Sequence, residues 1–273
     1  MYCAAAIQMN STSRVADNLE RASDLIGRAV ESGAELIALP ENFALMPRDE
    51  PDRMAVAEDP AHGPIQEFLS GQARSHGIWL IGGTVPLVAA VGKKFHASSL
   101  LFGPEGQRAA RYDKIHLFDV TVSDTESYRE SDYFAAGDAG SKNLICVDTP
   151  LGQIGLTICY DVRFPELYRN LSRQGAAIFS VPSAFTARTG RAHWQTLLRA
   201  RAIENLAYVI APGQSGIHDN GRETFGHSII VDPWGKILNQ LTDELEGVVI
   251  AEIDLERLNS IRRCFPSLEH RRI

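Results

Sequence analysis

The sequence predicts an α/β fold in which helices cover the outer faces of two packed β-sheets. Three observations carry that prediction. Short β-branched apolar runs alternate with stretches of helical period along the chain. The strands are joined by Gly-rich hairpin turns in some places and by helix crossovers in others. No linker, low-complexity tract or internal repeat divides the 273 residues, so one domain spanning 1–273 is expected.

The elements follow in order. Residues 3–8 read as a first strand. Val15, Leu19, Ala22, Leu25, Ile26, Ala29 and Val30 then recur at helical spacing, giving an amphipathic helix that ends near Gly33. Residues 36–39 form a second strand, Pro40 stops it, and Glu41 follows at once. A helix over 65–76 puts Ile65, Phe68, Leu69 and Ala73 on one face. Residues 79–82 are strand-like, Gly82, Gly83 and Gly92 punctuate a hairpin region, and 97–102 returns as a strand. Residues 103–106 make a turn and 108–112 continue the meander. Residues 112–118 then leave it, carrying Lys114.

Residues 121–140 are polar and charged, with Glu126, Glu130 and Asp132, and read as a long loop. Residues 144–147 and 153–158 form the next hairpin, and Cys159 falls where its second strand ends. Pro165 suits the first turn of a helix expected over 166–174, where its missing N–H costs nothing. A strand over 177–181, a loop over 182–191 and a helix over 193–205 come next. Further strands at 207–211, 228–231 and 248–253, a tight turn at 232–235, a short helix at 255–263 and a polar tail complete the chain.

Composition bounds the function. With 44% hydrophobic and 22% charged residues the chain can bury a large core. A net charge of -7 argues against nucleic-acid or anionic-membrane partners. Gln8 and Asn10 interrupt the first apolar run, and no spanning helix or signal peptide is expected. Cys3, Cys146, Cys159 and Cys264 include no CxxC pair, which points to reduced thiols and a cytoplasmic setting. His116 and His227 have no partners at metal-ligand spacing, so neither metal nor cofactor is expected.

Glu41, Lys114 and Cys159 share one placement, at or just past a strand end, where catalytic groups gather. Singly, each has a plainer reading: a surface carboxylate, a solvated lysine, an inert buried cysteine. Converging, they make a nucleophile, a base and a cation. Free N–H groups at a strand-to-helix elbow can lower the Cys159 pKa and bind an oxyanion. Glu41 would take the thiol proton and later activate water or protonate the leaving group. Lys114 would favour the thiolate and hold the oxyanion beside the N–H after Cys159.

LPENF at 39–43, YDKIHLFDV at 112–120 and TICYDVRFPEL at 157–167 resemble the nitrilase superfamily of carbon–nitrogen hydrolases, whose members use a Glu-Lys-Cys triad. The resemblance places Glu41, Lys114 and Cys159 in those roles, and Glu130, in SYRESDYFAAGD, matches a second active-site glutamate. It implies a four-layer α-β-β-α sandwich that dimerises, with residues 255–273 and the helix at 166–174 at the interface. PSAFTARTGRAHWQTLLRARAIENLAYVIAPGQSG and GRETFGHSIIVDPWG narrow it to the Nit branch and its deaminated-glutathione amidase members. ω-Amidases, carbamoylases and nitrilases share the chemistry, and a non-catalytic binder could share the fold. Ser183, Arg191 and Gln195 depart from the expected Ala, Pro and Glu, in or beside the loop expected to contact substrate.

An amidase for a keto-acid amide must bind anions. Arg163 is well placed to fork onto a carboxylate; its plainer reading is a salt bridge to Glu166 or Asp161. Arg188 and Arg191 read more simply as solvated loop residues, and His193 as structural. Phe185 and Thr186 follow from the resemblance as pocket-wall candidates, and Tyr160, next to Cys159, joins them.

Overall fold

The computed structural model describes residues 1–90, 94–124, 126–140, 143–243 and 245–272. Gly92 and the last tail residue, Ile273, lie outside the described residues. The first half of the chain gives β1 (Tyr2–Gln8), α1 (Val15–Glu31), β2 (Ala34–Ala38), α2 (Glu50–Ala55), α3 (Pro64–His76), β3 (Trp79–Ile81), β4 (Val85–Val88), β5 (Phe95–Phe102), β6 (Arg108–Asp113), β7 (Asp119–Ser123) and β8 (Glu126–Arg129). The second half gives β9 (Cys146–Thr149), β10 (Gly152–Leu156), α4 (Pro165–Arg173), β11 (Ile178–Ser180), α5 (Ala187–Asn205), β12 (Tyr208–Ala211), β13 (Ser215–Ile217), β14 (Glu223–Phe225), β15 (Ile229–Val231), β16 (Ile237–Gln240), β17 (Gly247–Ile253) and α6 (Leu255–Cys264).

Seven strands form one sheet in the order β17-β1-β2-β3-β5-β4, with β6 paired to β5. Six form a second in the order β16-β15-β12-β11-β10-β9. Strand alternation sorts the first sheet's side chains onto two buried faces. Ala4, Ala6, Leu36 and Ala38 enter the core shared with Ile154, Leu156 and Ile178 of the second sheet. Ala5, Ile7 and Ile37 point the other way, onto Leu25 and Ile26 of α1 and Ile65 and Leu69 of α3. Tyr168 of α4 meets Phe179 of β11 edge-on, with centroids 5.0 Å apart. The layers therefore run helix, sheet, sheet, helix. Among the described residues no helix is long and apolar enough to cross a membrane.

Two expectations are corrected. Residues 121–140 are not one long loop. β7 and β8 pair as an antiparallel hairpin with Asp119 opposite Arg129, and a 3-10 turn follows over Glu130–Asp132. The hairpin is legible only weakly, because neither of its faces is fully buried and its side chains are mixed. The helix expected from residue 193 begins at Ala187. Gly190 masks that start, yet it is what lets α5 approach β14: a Cβ there would come 2.3 Å from Phe225. The short elements α2, β13, β14 and β16 lack apolar runs long enough to announce them, and Pro86 interrupts the apolar run of β4.

Candidate active site

Glu41 is delivered by the end of β2. The chain turns immediately after it, at Asn42, with φ 59°. Gly83 backs the turn, since a Cβ there would lie 2.0 Å from the Pro40 carbonyl oxygen. Lys114 follows β6. Its N–H donates to the Ala97 carbonyl at 3.0 Å, and its own carbonyl accepts from Gly137 N–H at 2.8 Å.

Cys159 lies beyond β10, at the first residue of a 3-10 turn over Cys159–Arg163 that leads into α4. Its φ is 46°, a left-handed conformation that costs on the order of 1–3 kcal/mol for a residue with a Cβ. Surrounding bonds hold it there. Cys159 N–H donates to the Pro182 carbonyl at 2.9 Å, and Ile158 N–H to Asp161 Oδ2 at 2.9 Å.

The three side chains meet. Lys114 Nζ donates to Glu41 Oε1 at 2.8 Å and to both Glu130 oxygens at 2.9 Å. Ala184 N–H donates to Glu41 Oε2 at 2.8 Å, and Phe118 N–H to Glu130 Oε2 at 2.6 Å. The Cys159 thiol lies beside them, close enough to feel the charges of both Glu41 and Lys114. Lys114 is 2% exposed, Glu41 5% and Cys159 7%.

Burial opposes the Glu41 charge, but the Lys114 ammonium outweighs it and holds the carboxyl below its ordinary range. Burial also opposes the Lys114 charge, and Glu130 and Glu41 together overcome it, so the amine stays cationic. Cys159 goes the other way. Burial first, and then the Glu41 charge, push its thiol well up, while Lys114 pulls it down by less. The expectation of a lowered thiol pKa is therefore corrected. The proton rests on sulfur, beside a carboxylate able to take it.

A cavity of about 270 Å³ opens over these groups. Glu41, Lys114, Glu130, Cys159, Tyr160, Phe185 and Thr186 all line it. Arg163 does not. Its guanidinium lies 5.2 Å from the Phe185 ring centroid, with Nη1 3.3 Å from His193 Nδ1. Ser183, Arg191 and Gln195 also stay out of the lining. Ser183 donates to the Val181 carbonyl at 3.0 Å, Arg191 pairs with Glu223 at 2.9 Å, and Gln195 donates to Gln240 at 2.7 Å. The arginines that do line the cavity are Arg53, Arg129 and Arg222. Arg222 stands inside the GRETFG stretch, but nothing in its spacing ties it to Cys159.

Known proteins resemble this chain over nearly its whole length. The carbon-nitrogen hydrolase family profile matches residues 3–263. A deaminated glutathione amidase of Synechocystis sp. is 47% identical over 271 residues, covering 99% of this chain and 98% of its own. Nit3 of Saccharomyces cerevisiae, a member of branch 10 of the nitrilase superfamily, superposes with a TM-score of 0.87 at 32% identity, covering 100% of this chain and 97% of its own. The C. elegans NitFhit protein gives a TM-score of 0.88 at 38% identity over 99% of this chain, which spans 65% of that longer one. A family match over residues 3–263, relatives of high identity and a shared sandwich agree: the chain belongs to the carbon–nitrogen hydrolase family of the nitrilase superfamily.

Proposed function

We propose that the chain is an amidase that cleaves deaminated glutathione to α-ketoglutarate and cysteinylglycine through an acyl-thioester on Cys159. The observation that carries this reading is the Lys114 ammonium clamped between Glu41 and Glu130 beside the buried Cys159 thiol. The name of the Synechocystis relative supports the substrate.

Cys159 Sγ attacks the amide carbonyl carbon as Glu41 takes the thiol proton. The carbonyl oxygen becomes an oxyanion. An ammonium has three N–H donors. One serves Glu41, one can be shared across the Glu130 oxygens, and a third is left for the oxyanion. The Tyr160 N–H, in the first turn after Cys159, is the second donor, because first-turn N–H groups have no intrahelical acceptor. Protonated Glu41 then gives its proton to the leaving nitrogen, and the C–N bond breaks. Next, Glu41 takes a proton from water, the hydroxide attacks the thioester, and the C–S bond breaks as sulfur regains its proton. Glu130 keeps Lys114 charged and aimed. Tyr160, Phe185 and Thr186 wall the acyl group.

The test is release of cysteinylglycine and α-ketoglutarate from deaminated glutathione by the purified protein, with Cys159→Ala as a folded, inactive control. Faster turnover of α-ketoglutaramate would replace the substrate with that of an ω-amidase. Turnover only of a carbamoyl amino acid or a nitrile would replace the reaction. Tight binding with no turnover of any amide would leave a binding protein.

The same reading takes residues 1–273 as one catalytic domain working in the cytoplasm as a homodimer, with α4 and residues 255–273 against the partner copy. Trp234 and Phe265 support it. Both are exposed, large and apolar, and their rings meet edge to face at 5.5 Å. Light scattering should give a mass well above the 30.0 kDa of one chain.

A further inference from the structure

The acidic chain concentrates cations in its cavity. Among the described residues, Arg53, Lys114, Arg129 and Arg222 face only Glu41 and Glu130 there, and Lys114 already bonds both carboxylates. An anionic substrate fits such a lining. The arginines differ in what they have to offer. Arg53 is committed: Nη1 donates to Asn42 Oδ1 at 3.1 Å, and its guanidinium lies over the Phe134 ring at 5.0 Å. Arg129 is exposed, at the rim. Arg163 is outside the lining altogether.

Arg222 is held and yet unfinished. Its Nη2 donates to the Ala184 carbonyl, and its guanidinium lies over the Tyr128 ring at 4.9 Å. Those two contacts fix the plane of the fork. Its Nε–H is buried without an acceptor among the described residues. Buried donors are rarely left unpaired without a reason, and a guanidinium edge suits a carboxylate. The Ala184 peptide links this cation to the chemistry. Its carbonyl holds Arg222, and its N–H holds Glu41. Arg222 is thus placed one peptide away from the base. The hairpin of β13 and β14 brings it there, through a bridge between Thr224 and Thr186.

We infer that Arg222 is the specificity-determining residue that binds the carboxylate on the acyl side of the scissile amide. This rests on the amidase reading above and names what makes that site choose keto-acid amides. The acyl chain of such a substrate carries its carboxylate at the end away from the scissile carbonyl. With the carbonyl at Cys159, the methylenes run along Phe185 and the carboxylate meets the Arg222 fork. Arg129, at the mouth, is left for the leaving group.

Three substrates test it in wild type, Arg222→Ala and Arg222→Lys. They are α-ketoglutaramate, deaminated glutathione and the neutral ester p-nitrophenyl pentanoate. Arg222→Ala should lower kcat/KM about 10- to 150-fold on both keto-acid amides, the range of one charge-assisted hydrogen bond. The ester should change little. Arg222→Lys should recover part of the loss, since it keeps the charge but not the fork. In a Cys159→Ala background, calorimetry should show α-ketoglutarate binding weakened by a similar factor when Arg222 is removed. Arg163→Ala, the control, should affect all three substrates alike.

Equal losses on ester and amides would overturn the inference, because Arg222 would then act only by bracing Ala184 and Glu41. A loss confined to deaminated glutathione would also overturn it, by moving the contact to the leaving group. If wild type cleaved the ester but neither keto-acid amide, the substrate reading itself would fall, and this inference with it. No loss in a variant can imitate that pattern.

Discussion

The Tyr112 hydroxyl donates to Asp161 Oδ2 at 2.7 Å, and this bond ties the strand before Lys114 to the turn that carries Cys159. Asp161 is fully buried and accepts from both sides. Ile158 N–H reaches it at 2.9 Å, and His116 reaches it through its backbone N–H at 3.2 Å. One carboxylate thereby sets the distance between the lysine segment of the first sheet and the cysteine segment of the second.

Tyr112→Phe removes one donor from that buried carboxylate and leaves the ring in place. Stability should fall by about 1–3 kcal/mol, the cost of an unmatched buried polar group. Activity should fall as well, since Lys114 and Cys159 are then less firmly spaced. Urea unfolding and steady-state kinetics check the two effects. Full activity at unchanged stability would mean the elbow is held by other bonds.

The thiol is expected to be slow toward iodoacetamide at neutral pH. Its pKa is raised in the folded protein, so its thiolate fraction is lower than that of an ordinary thiol and grows only under alkaline conditions. Glu41→Gln removes a charge that pushes the thiol up, so labelling of Cys159 should become faster at neutral pH. Peptide mapping after timed labelling distinguishes Cys159 from the exposed Cys264. Rapid neutral-pH labelling of wild-type Cys159 would contradict the burial argument.

Lys114→Arg is expected to be severe. The amine is a compact cation between two carboxylates 2.8 and 2.9 Å away, and a planar guanidinium cannot reproduce three short bonds from one atom. Loss of an oxyanion donor costs on the order of 100- to 1,000-fold in kcat. A variant retaining near-normal kcat would remove Lys114 from the chemistry.

His218 gives stability a pH dependence. Burial lowers its pKa from 6.5 to about 4. Its ring nitrogens lie 2.9 Å from the Ser11 carbonyl and 2.7 Å from Thr224 Oγ1, an arrangement suited to neutral imidazole. Its folded pKa is depressed, so below pH 6.5 the unfolded chain takes up the proton and the folded protein does not. Stability is complete above that pH, is lost as pH falls toward about 4, and changes no further from this group below it. The loss amounts to roughly 3 kcal/mol. Urea unfolding across that window should show a steeper decline for wild type than for His218→Asn. Parallel declines would place the titration elsewhere.

Much of the site could be read from the chain. Glu41, Lys114 and Cys159 each sit past a strand end, and strand ends are local features that Pro40 and the apolar runs mark in sequence. Glu130 needed the resemblance, because its hairpin has no fully buried face to signal a strand. Arg163 was the natural arginine by proximity to Cys159, yet it turns back onto Phe185 and Tyr160. The side chain of a neighbour in sequence is aimed by its own turn, and a 3-10 turn over Cys159–Arg163 carries it away from the cavity.

The sequence by itself determined which strands face two layers of apolar neighbours, where they stop, and which reactive side chains stand at their ends. Period-two burial and turn chemistry act over a few residues, so they are written locally. Only the tertiary structure decided who meets whom. Ala184 N–H reaches Glu41 across 143 positions of chain, and Lys114 across 73. Those meetings exist because two sheets pack face to face and bring their strand ends together. The same packing decided the state of the sulfur. Local N–H groups argued for a thiolate, but dehydration between the sheets and the charge of Glu41 outweigh them, and both arise only when the layers close.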